Sequence, residues 1–462
     1  MIGASLSFLD STVVNVALRT LSADLHTSLS EVQWVVTGYL LALAAVIPVT
    51  GWAARRAGAA RLYVAALAVF TVGSALCACS QSAGMLIACR VLQGAGGGAI
   101  LPAGTMIWTS QATRAQMARV MSVIGVPIVL APMLGPTIGG LLIEGLGWRA
   151  IFWLNVPLGA AGVALAARLL PGGGGTGAGR LDVTGLILGA GGTVGVTYGL
   201  AEAGATSGLG TAAAVPLITG LVLLGGFVVH ARRPGRPLLD VSLYASRAFA
   251  AASVASFALG AAMFGGMILL PLYFQIVRGE NVILTGLLLV PSGAGAVISN
   301  RLAAPLTDRY GAGVTAFAGA ALGMVSTVPF VFLTAGTSYA LLALVMVARG
   351  AGTGLSVVPV MTAAYRALPP GKIPDAAPQL NVLQRIGGAM GTAVLTVVLQ
   401  DQLRQHTSSA GAARGFGVTF VWVLAIATAA AIPTVVLART EWRDRDTQPA
   451  TVKEDTGADA AH

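Results

Sequence analysis

Asp10 stands well inside a long apolar run, MIGASLSFLDSTVVNVAL, and no other carboxylate is placed that way. A charge at mid-membrane costs about 2.5–3.5 kcal/mol on insertion scales, so such a residue faces a bundle interior or a water-filled cavity. A carboxylate there can take up and release a proton. Burial raises the proton affinity of a carboxyl group and a nearby arginine lowers it, so the proton answers to conformation. Ser11, Thr12 and Asn15 add polar groups to the same segment, with Ser11 and Asn15 on one helical face. Arg90 lies in another apolar run, with Gln93, Gly94 and Gly97 on its face. Its guanidinium needs an acceptor, and Asp10 is the candidate partner; an arginine snorkelling to the membrane surface is the alternative. Gly94–Gly98 follow no strand and lie in an apolar run, which excludes a dinucleotide-binding loop. Pro127, Pro132, Gly135, Pro136, Gly139 and Gly140 make a bent helix with a small-residue seam, suited to a joint between moving parts or to static packing.

The elements that position these residues follow from composition. Of 462 residues, 56% are hydrophobic, 10% are charged and 61 are glycine; mean hydropathy is +0.82. A soluble domain is about a quarter charged, so this is an all-α polytopic membrane protein. The net charge of +10 is scattered, with no basic stripe, and a nucleic-acid partner is excluded. Cys77, Cys79 and Cys89 lack zinc-ligand spacing, and His26, His230, His406 and His462 are dispersed. No Walker A sequence is present, so enzyme chemistry and ATP-driven pumping have no support and no cofactor is expected. With about 20 residues per crossing, fourteen spans are expected near 2–20, 33–53, 62–81, 85–108, 120–142, 150–169, 183–203, 212–231, 248–273, 283–303, 313–335, 338–362, 379–400 and 416–438.

With the N-terminus in the cytoplasm, most of the 27 basic residues fall on inner loops or the tail. Only Arg19, Arg149, Arg278, Arg404 and Arg414 fall outside, and Arg90, Arg349 and Arg385 lie within spans. The positive-inside rule then makes both termini cytoplasmic. The first apolar stretch lacks the basic leader of a cleavable signal peptide. GWAARRAG (51–58) aligns with APLTDRYG (304–311), and RVLQGAGGG from Arg90 with RGAGTG from Arg349, which suggests an internal repeat, with chance similarity in a Gly-rich chain as the alternative. The duplication predicts a six-helix bundle over 1–170, two inserted helices and loops over 171–246, a second six-helix bundle over 247–438 and a disordered cytoplasmic tail over 439–462. Asp308 and Arg309, on a tight turn, are candidates for latching helix ends. Arg55 and Arg56 read as a solvated, topology-setting cluster.

These motifs resemble the major facilitator superfamily, in particular its fourteen-span drug:proton antiporter branch. The resemblance rests on LDSTVVNVAL (9–18), WVVTGYLLALAAVIPVTG (34–51), RVLQGAGGG, APMLGPTIGG (131–140), WRAIFWLNVPLG (148–159), LDVTG (181–185), LYFQIVRG (272–279), TGLLLVP (285–291) and LQRIGGAMGTA (383–393). It implies proton coupling by Asp10 and Arg90. It also implies an antiporter motif on Gly135, Pro136, Gly139 and Gly140, with Gly94, Asp308 and Arg309 in the conformational machinery. Asn15, Tyr39, Gln93 and Gln275 are the candidate substrate-cavity residues. The family's G-x-L-A-D-R-x-G loop departs here: Ala53 and Arg55 replace the Leu and Asp, while the second copy keeps Asp308. Span 1 ends on Arg19 in place of the usual proline.

The expected protein is a monomeric secondary exporter in the cytoplasmic membrane. It would exchange drugs, antibiotics or amphipathic metabolites for protons by alternating access, driven by the proton gradient. A metabolite-importing symporter is the alternative, and a membrane enzyme or receptor a more distant one. The cavity should be poor in acids, which disfavours exclusive selectivity for multivalent cations.

Overall fold

The computed structural model describes residues 2–113, 116–170, 174–175, 177, 179–206, 210–233, 238–405 and 408–446; side chains at 15–16, 19, 29–30, 125–134, 136, 205–206, 282, 370 and 443–446 lie outside the description. Among the described residues the regular structure is entirely helical. The first set is α1 (Ile2–Asp24), α2 (Leu29–Val46), α3 (Thr50–Ala57), α4 (Ala59–Ala78), α5 (Ala83–Gln111), α6 (Met117–Leu146) and α7 (Arg149–Leu169). Then come α8 (Val183–Thr206) and α9 (Thr211–Ala231). The last set is α10 (Arg247–Ile276), α11 (Val282–Tyr310), α12 (Ala312–Val331), α13 (Tyr339–Arg366), α14 (Ile373–Gln405) and α15 (Ser409–Asp446). Short 3-10 turns at Ile47–Val49, Val241–Ala245 and Pro370–Lys372 complete it.

Twelve helices, with α2 and α3 joined as one, are long and apolar enough to cross a membrane among the described residues. The expected count of fourteen is not reached. The first and fifth expected spans, α1 and α6, contribute described apolar stretches of only Ile2–Val14 and Thr137–Leu146. The expected tail from 439 also differs: α15 runs unbroken to Asp446, because a helix continues through EWRDRD once its apolar turns are seated. Residues 447–462 lie outside the described residues, as do 171–173, 176 and 178 of the expected linker.

Helix starts obey local chemistry. Ser82 and Asn281 cap α5 and α11 by accepting from the backbone N–H of Met85 at 3.3 Å and Leu284 at 2.8 Å. The two copies of the repeat bend alike. Gly58 (φ 90°) joins α3 to α4 and Gly311 (φ 95°) joins α11 to α12, a conformation that only glycine adopts without strain. Packing follows the same duplication. α5 lies against α2 and α4, and α13 lies against α11 and α12. Small residues allow this. A Cβ at Gly98 would lie 2.5 Å from the Leu43 carbonyl oxygen of α2, and one at Gly96 2.5 Å from the Phe70 nitrogen of α4. Without a hydrophobic drive between helices in lipid, such close van der Waals contact is what holds them.

The hairpin α8–α9 packs on itself, and α8 also lies between α2 and α14. α6 meets α11 and α13 directly. The ends of α3, α11, α13 and α15, with the starts of α4, α12 and α14, share one face with the start of α1, called here the terminal face. The opposite face carries the Asp24–Trp148 hydrogen bond (3.0 Å) and the Arg278 contacts to Ala335 and Thr337.

Gly96→Ala should lower stability by about 1–3 kcal/mol through overpacking, whereas Gly84, whose Cβ would meet open space, should accept alanine without loss. The thermal unfolding midpoints of the two purified variants check this.

Candidate functional site

α1, α2, α4, α5 and α7 converge on one buried polar cluster. Asp10 on α1 and Arg90 on α5 are both 0% exposed, and Arg90 Nη1 donates to Asp10 Oδ2 at 2.5 Å. The other carboxylate oxygen, Oδ1, accepts from Gln93 Nε2 at 3.0 Å and Asn155 Nδ2 at 2.9 Å. Gln93 sits one turn beyond Arg90, so a single helix face delivers both donors. Arg90 Nη1 also donates to Gln93 Oε1 at 2.9 Å, and its Nε to the Val35 carbonyl at 3.0 Å. The guanidinium lies over the Tyr39 ring, 4.0 Å from its centroid, with Phe152 at 5.7 Å. Asn155 is held in turn by Ser74, to whose Oγ it donates at 3.2 Å. Within this cluster two buried atoms, Arg90 Nη2 and Asn155 Oδ1, have no hydrogen-bond partner among the described residues. Leaving such groups unmet costs about 1–3 kcal/mol each, so this arrangement is only incompletely satisfied.

The sequence paired Asp10 with Arg90 but placed Tyr39 and Gln93 on the substrate cavity, and the structure moves both. Tyr39 is wholly buried beneath Arg90, donating to the Ser7 carbonyl at 3.1 Å, and Gln93 is wholly buried on Asp10. The packing of α5 against α2 turns these faces inward. Gln275 does line the cavity. The side chains of Asn15 and Pro136 lie outside the described residues. Gly135 and Gly139 are buried against α1, where a Cβ at Gly139 would lie 2.9 Å from Val13 Cγ1, and Gly140 is buried too. Asn155 was missed. Its only signal was an amide within an otherwise apolar run, FWLNVPLG.

A cavity of about 1230 Å³ lies beside this cluster, between the two sets of helices. Phe8, Ser11 and Thr12 of α1 line it, so Asp10 is separated from the cavity wall by a fraction of a helical turn. The lining reaches Leu18, Gln33, Thr327 and Gln400, which lie toward the face opposite the termini.

At the terminal face the two helix sets are joined. Arg55 of α3 pairs with Asp375 at the start of α14. This corrects the expectation of a merely solvated cluster: α3 is pressed onto the α14 turn, where a Cβ at Gly51 would lie 2.6 Å from the Pro374 oxygen. Lys372 Nζ pairs with Asp240 at 2.5 Å, and Gln379 donates to the Asp240 carbonyl at 3.1 Å. Partial burial works to raise the Asp240 carboxyl, but hydrogen bonds from Lys372 and Ser242 outweigh it and hold it below the usual carboxylate range. The bond to Asp240 holds the Lys372 ammonium above its ordinary value. The Asp240 contribution is therefore lost as pH falls through its lowered value, and the Lys372 contribution as pH rises through its raised one, leaving the neutral range unaffected. Asp308 pairs with Arg366 at 2.8 Å, within α11 and α13, and Arg309 lies over Tyr310.

The Major Facilitator Superfamily profile matches residues 1–392. The chain is 35% identical over 436 residues to a multidrug resistance protein B homolog of Mycobacterium tuberculosis (strain ATCC 25618 / H37Rv), covering 90% of this chain and 80% of that one. It is 33% identical to a methylenomycin A resistance protein of Bacillus subtilis (strain 168), covering 91% and 92%. Among solved structures, the human organic anion transporter MFSD10 (TETRAN) superposes with a TM-score of 0.60 over 92% of this chain and 97% of that one; at 14% identity this shows the fold alone. The chain belongs to the major facilitator superfamily of membrane transporters.

Arg55→Glu should place like charges at the α3–α14 contact and open the terminal face. For a partly exposed pair the expected shift is about 1–2 kcal/mol, a factor of about 5–30 in the closed-to-open ratio. Spin-label distances across that face check it, and Arg55→Asp combined with Asp375→Arg should restore the closed state.

Proposed function

We propose that this transporter is a proton-coupled exporter of the fourteen-span drug antiporter branch, exchanging drugs, antibiotics or amphipathic metabolites for protons by alternating access. The carrying observation is the buried Asp10–Arg90 pair with Gln93 and Asn155, one side chain away from a large cavity. Relatives named for multidrug and methylenomycin A resistance support efflux as its direction. In this reading α1 and α6 also cross the bilayer. Residues 1–170 and 247–438 form two six-helix bundles, residues 171–246 carry the inserted pair, and both termini are cytoplasmic. The protein acts as a monomer without a cofactor.

Ionised Asp10 compensates Arg90, and each needs the other, because an unpaired buried charge is costly. A proton arriving from outside removes that compensation and frees Arg90 to leave. α1, which bears both Asp10 and the cavity residues Ser11 and Thr12, transmits the change to bound substrate and favours its release. Substrate binding from the cytoplasm competes with the proton on the return, so the two move in opposite directions. One charge moving down 100 mV supplies about 2.3 kcal/mol. At about 1.4 kcal/mol per tenfold, that supports roughly a 40-fold gradient per proton. The closed terminal face and a cavity reaching toward the other side are the outward-facing half of such a cycle.

The test uses purified protein in liposomes with an imposed inside-acid gradient, lumenal pH being recorded as dyes, antibiotics and amphipathic metabolites are added. Compound-dependent proton efflux should appear and should vanish in Asp10→Asn. Unchanged coupling in that variant would remove Asp10 from the mechanism, and accumulation driven only by the opposite gradient would make the protein an importer.

A further inference from the structure

The two halves treat the same arginine differently. Arg90 and Arg349 head the repeated segments RVLQGAGGG and RGAGTG on α5 and α13, which occupy matching places in the two helix sets. Arg90 finds Asp10 on α1. Arg349 instead lies over Gly266 of α10, so closely that a Cβ there would collide with its Nη2. No carboxylate among the described residues pairs with it. Arg385 of α14 is the second such group, its guanidinium 5.8 Å from the centroid of the Phe8 ring and also without an acidic partner among the described residues. Both arginines line the 1230 Å³ cavity, whose wall includes no aspartate, glutamate, lysine or histidine among the described residues. The one acid set deep in the spans, Asp10, is already engaged by Arg90. Among the described residues the cavity therefore carries two positive charges and no negative one.

We propose, building on the exporter reading, that the cavity selects amphipathic organic anions. A carboxylate, sulfonate or phosphate is bound by Arg349 and Arg385, with the apolar body lying against Phe8, Met263, Phe264 and Met267. Partly buried guanidinium groups without a counter-charge are poorly compensated, and an anion meets them with charge-assisted, often bidentate hydrogen bonds. A cation of equal size gains the same apolar contact but meets two like charges. Thr285 Oγ1 and Thr197 Oγ1, both in the wall and both buried without a partner among the described residues, add neutral groups that suit a ligand with further polar substituents.

The experiment measures equilibrium binding of dansylglycine and dansylcadaverine, a carboxylate and an ammonium on the same fluorophore, to the purified full-length protein by fluorescence anisotropy. Dansylglycine should bind at least about tenfold tighter. Arg349→Gln and Arg385→Gln should each weaken it by about tenfold while leaving dansylcadaverine binding unchanged or improved, and the Lys variants should lie between. Thermal midpoints establish that the variants are folded. Dansylcadaverine binding as tightly as dansylglycine, no dansylglycine binding to the wild type, or unchanged dansylglycine affinity in a folded double Gln variant would each overturn the proposal. Displacement of the probe by dioctanoyl phosphatidylglycerol supports it and identifies the anion as a lipid headgroup; displacement by chloride as effective as by organic anions refutes it. Because binding is read without a gradient, arginine-dependent carboxylate binding combined with no proton exchange in liposomes would remove the exporter reading and leave this selectivity standing.

Discussion

Everything around the N-terminal half answers one constraint: a carboxylate and a guanidinium, both removed from water, must compensate each other completely enough to be tolerated. Their mutual attraction repays the loss of hydration only with good geometry and further hydrogen bonds. The surrounding helices supply both. Glycines on α5 admit the α2 backbone, which brings the Val35 carbonyl and the Tyr39 ring to Arg90. α7 and α4 bring Asn155 and its support Ser74 to the remaining oxygen of Asp10. A pair built this way adds little to stability compared with an apolar core. What it brings is mutual dependence, because removing either member would leave the other as an uncompensated buried charge.

Among the described residues, the two helix sets pack alike but carry this constraint only once. The glycine-lined placement of α5 is repeated in α13 and the left-handed turn at Gly58 in Gly311, so backbone geometry was retained in both halves. Charge was not. One arginine is neutralised inside the protein and its counterpart is presented to the cavity, giving a chemically asymmetric chamber within a nearly symmetric frame. The turn loops differ in the same sense: Arg55 reaches across to α14, whereas Asp308 stays within its own half on Arg366.

Asp10 and Arg90 were legible in the sequence because a charge in an apolar run is conspicuous and two such charges of opposite sign are natural partners. Most of the helices were legible for a related reason, since a charge-free run of bilayer length would be insoluble anywhere but in a bilayer. Asn155 was not. A neutral amide interrupts an apolar pattern weakly, and its role depends on which helix lies opposite. Tyr39 and Gln93 were assigned to the cavity because polarity marks a face as buried in something without saying whether that is ligand space or a neighbouring helix. Arg55 and Asp375 are 320 residues apart, and loop charges scattered over so long a chain give no clue to their pairing. The end of α15 was placed at the last apolar turn, but a helix already nucleated continues into charged residues beyond it.

The α8–α9 hairpin has a mechanical meaning beyond its apolar length. On one side of the cavity, α6 lies directly against α11 and α13; on the other, α8 stands between α2 and α14, with Trp34 stacked on Tyr198 at 5.8 Å. The two seams are thus unlike. One is a direct joint, while in the other α8 is a spacer, so that any tilt of one helix set against the other would have to slide α8 against α2, α14 or both. Thr197, Leu200, Ala201 and Gly204 make its inner flank part of the chamber wall. The hairpin therefore completes the chamber wall on this side, so that the two lateral walls of one cavity are built from unlike parts.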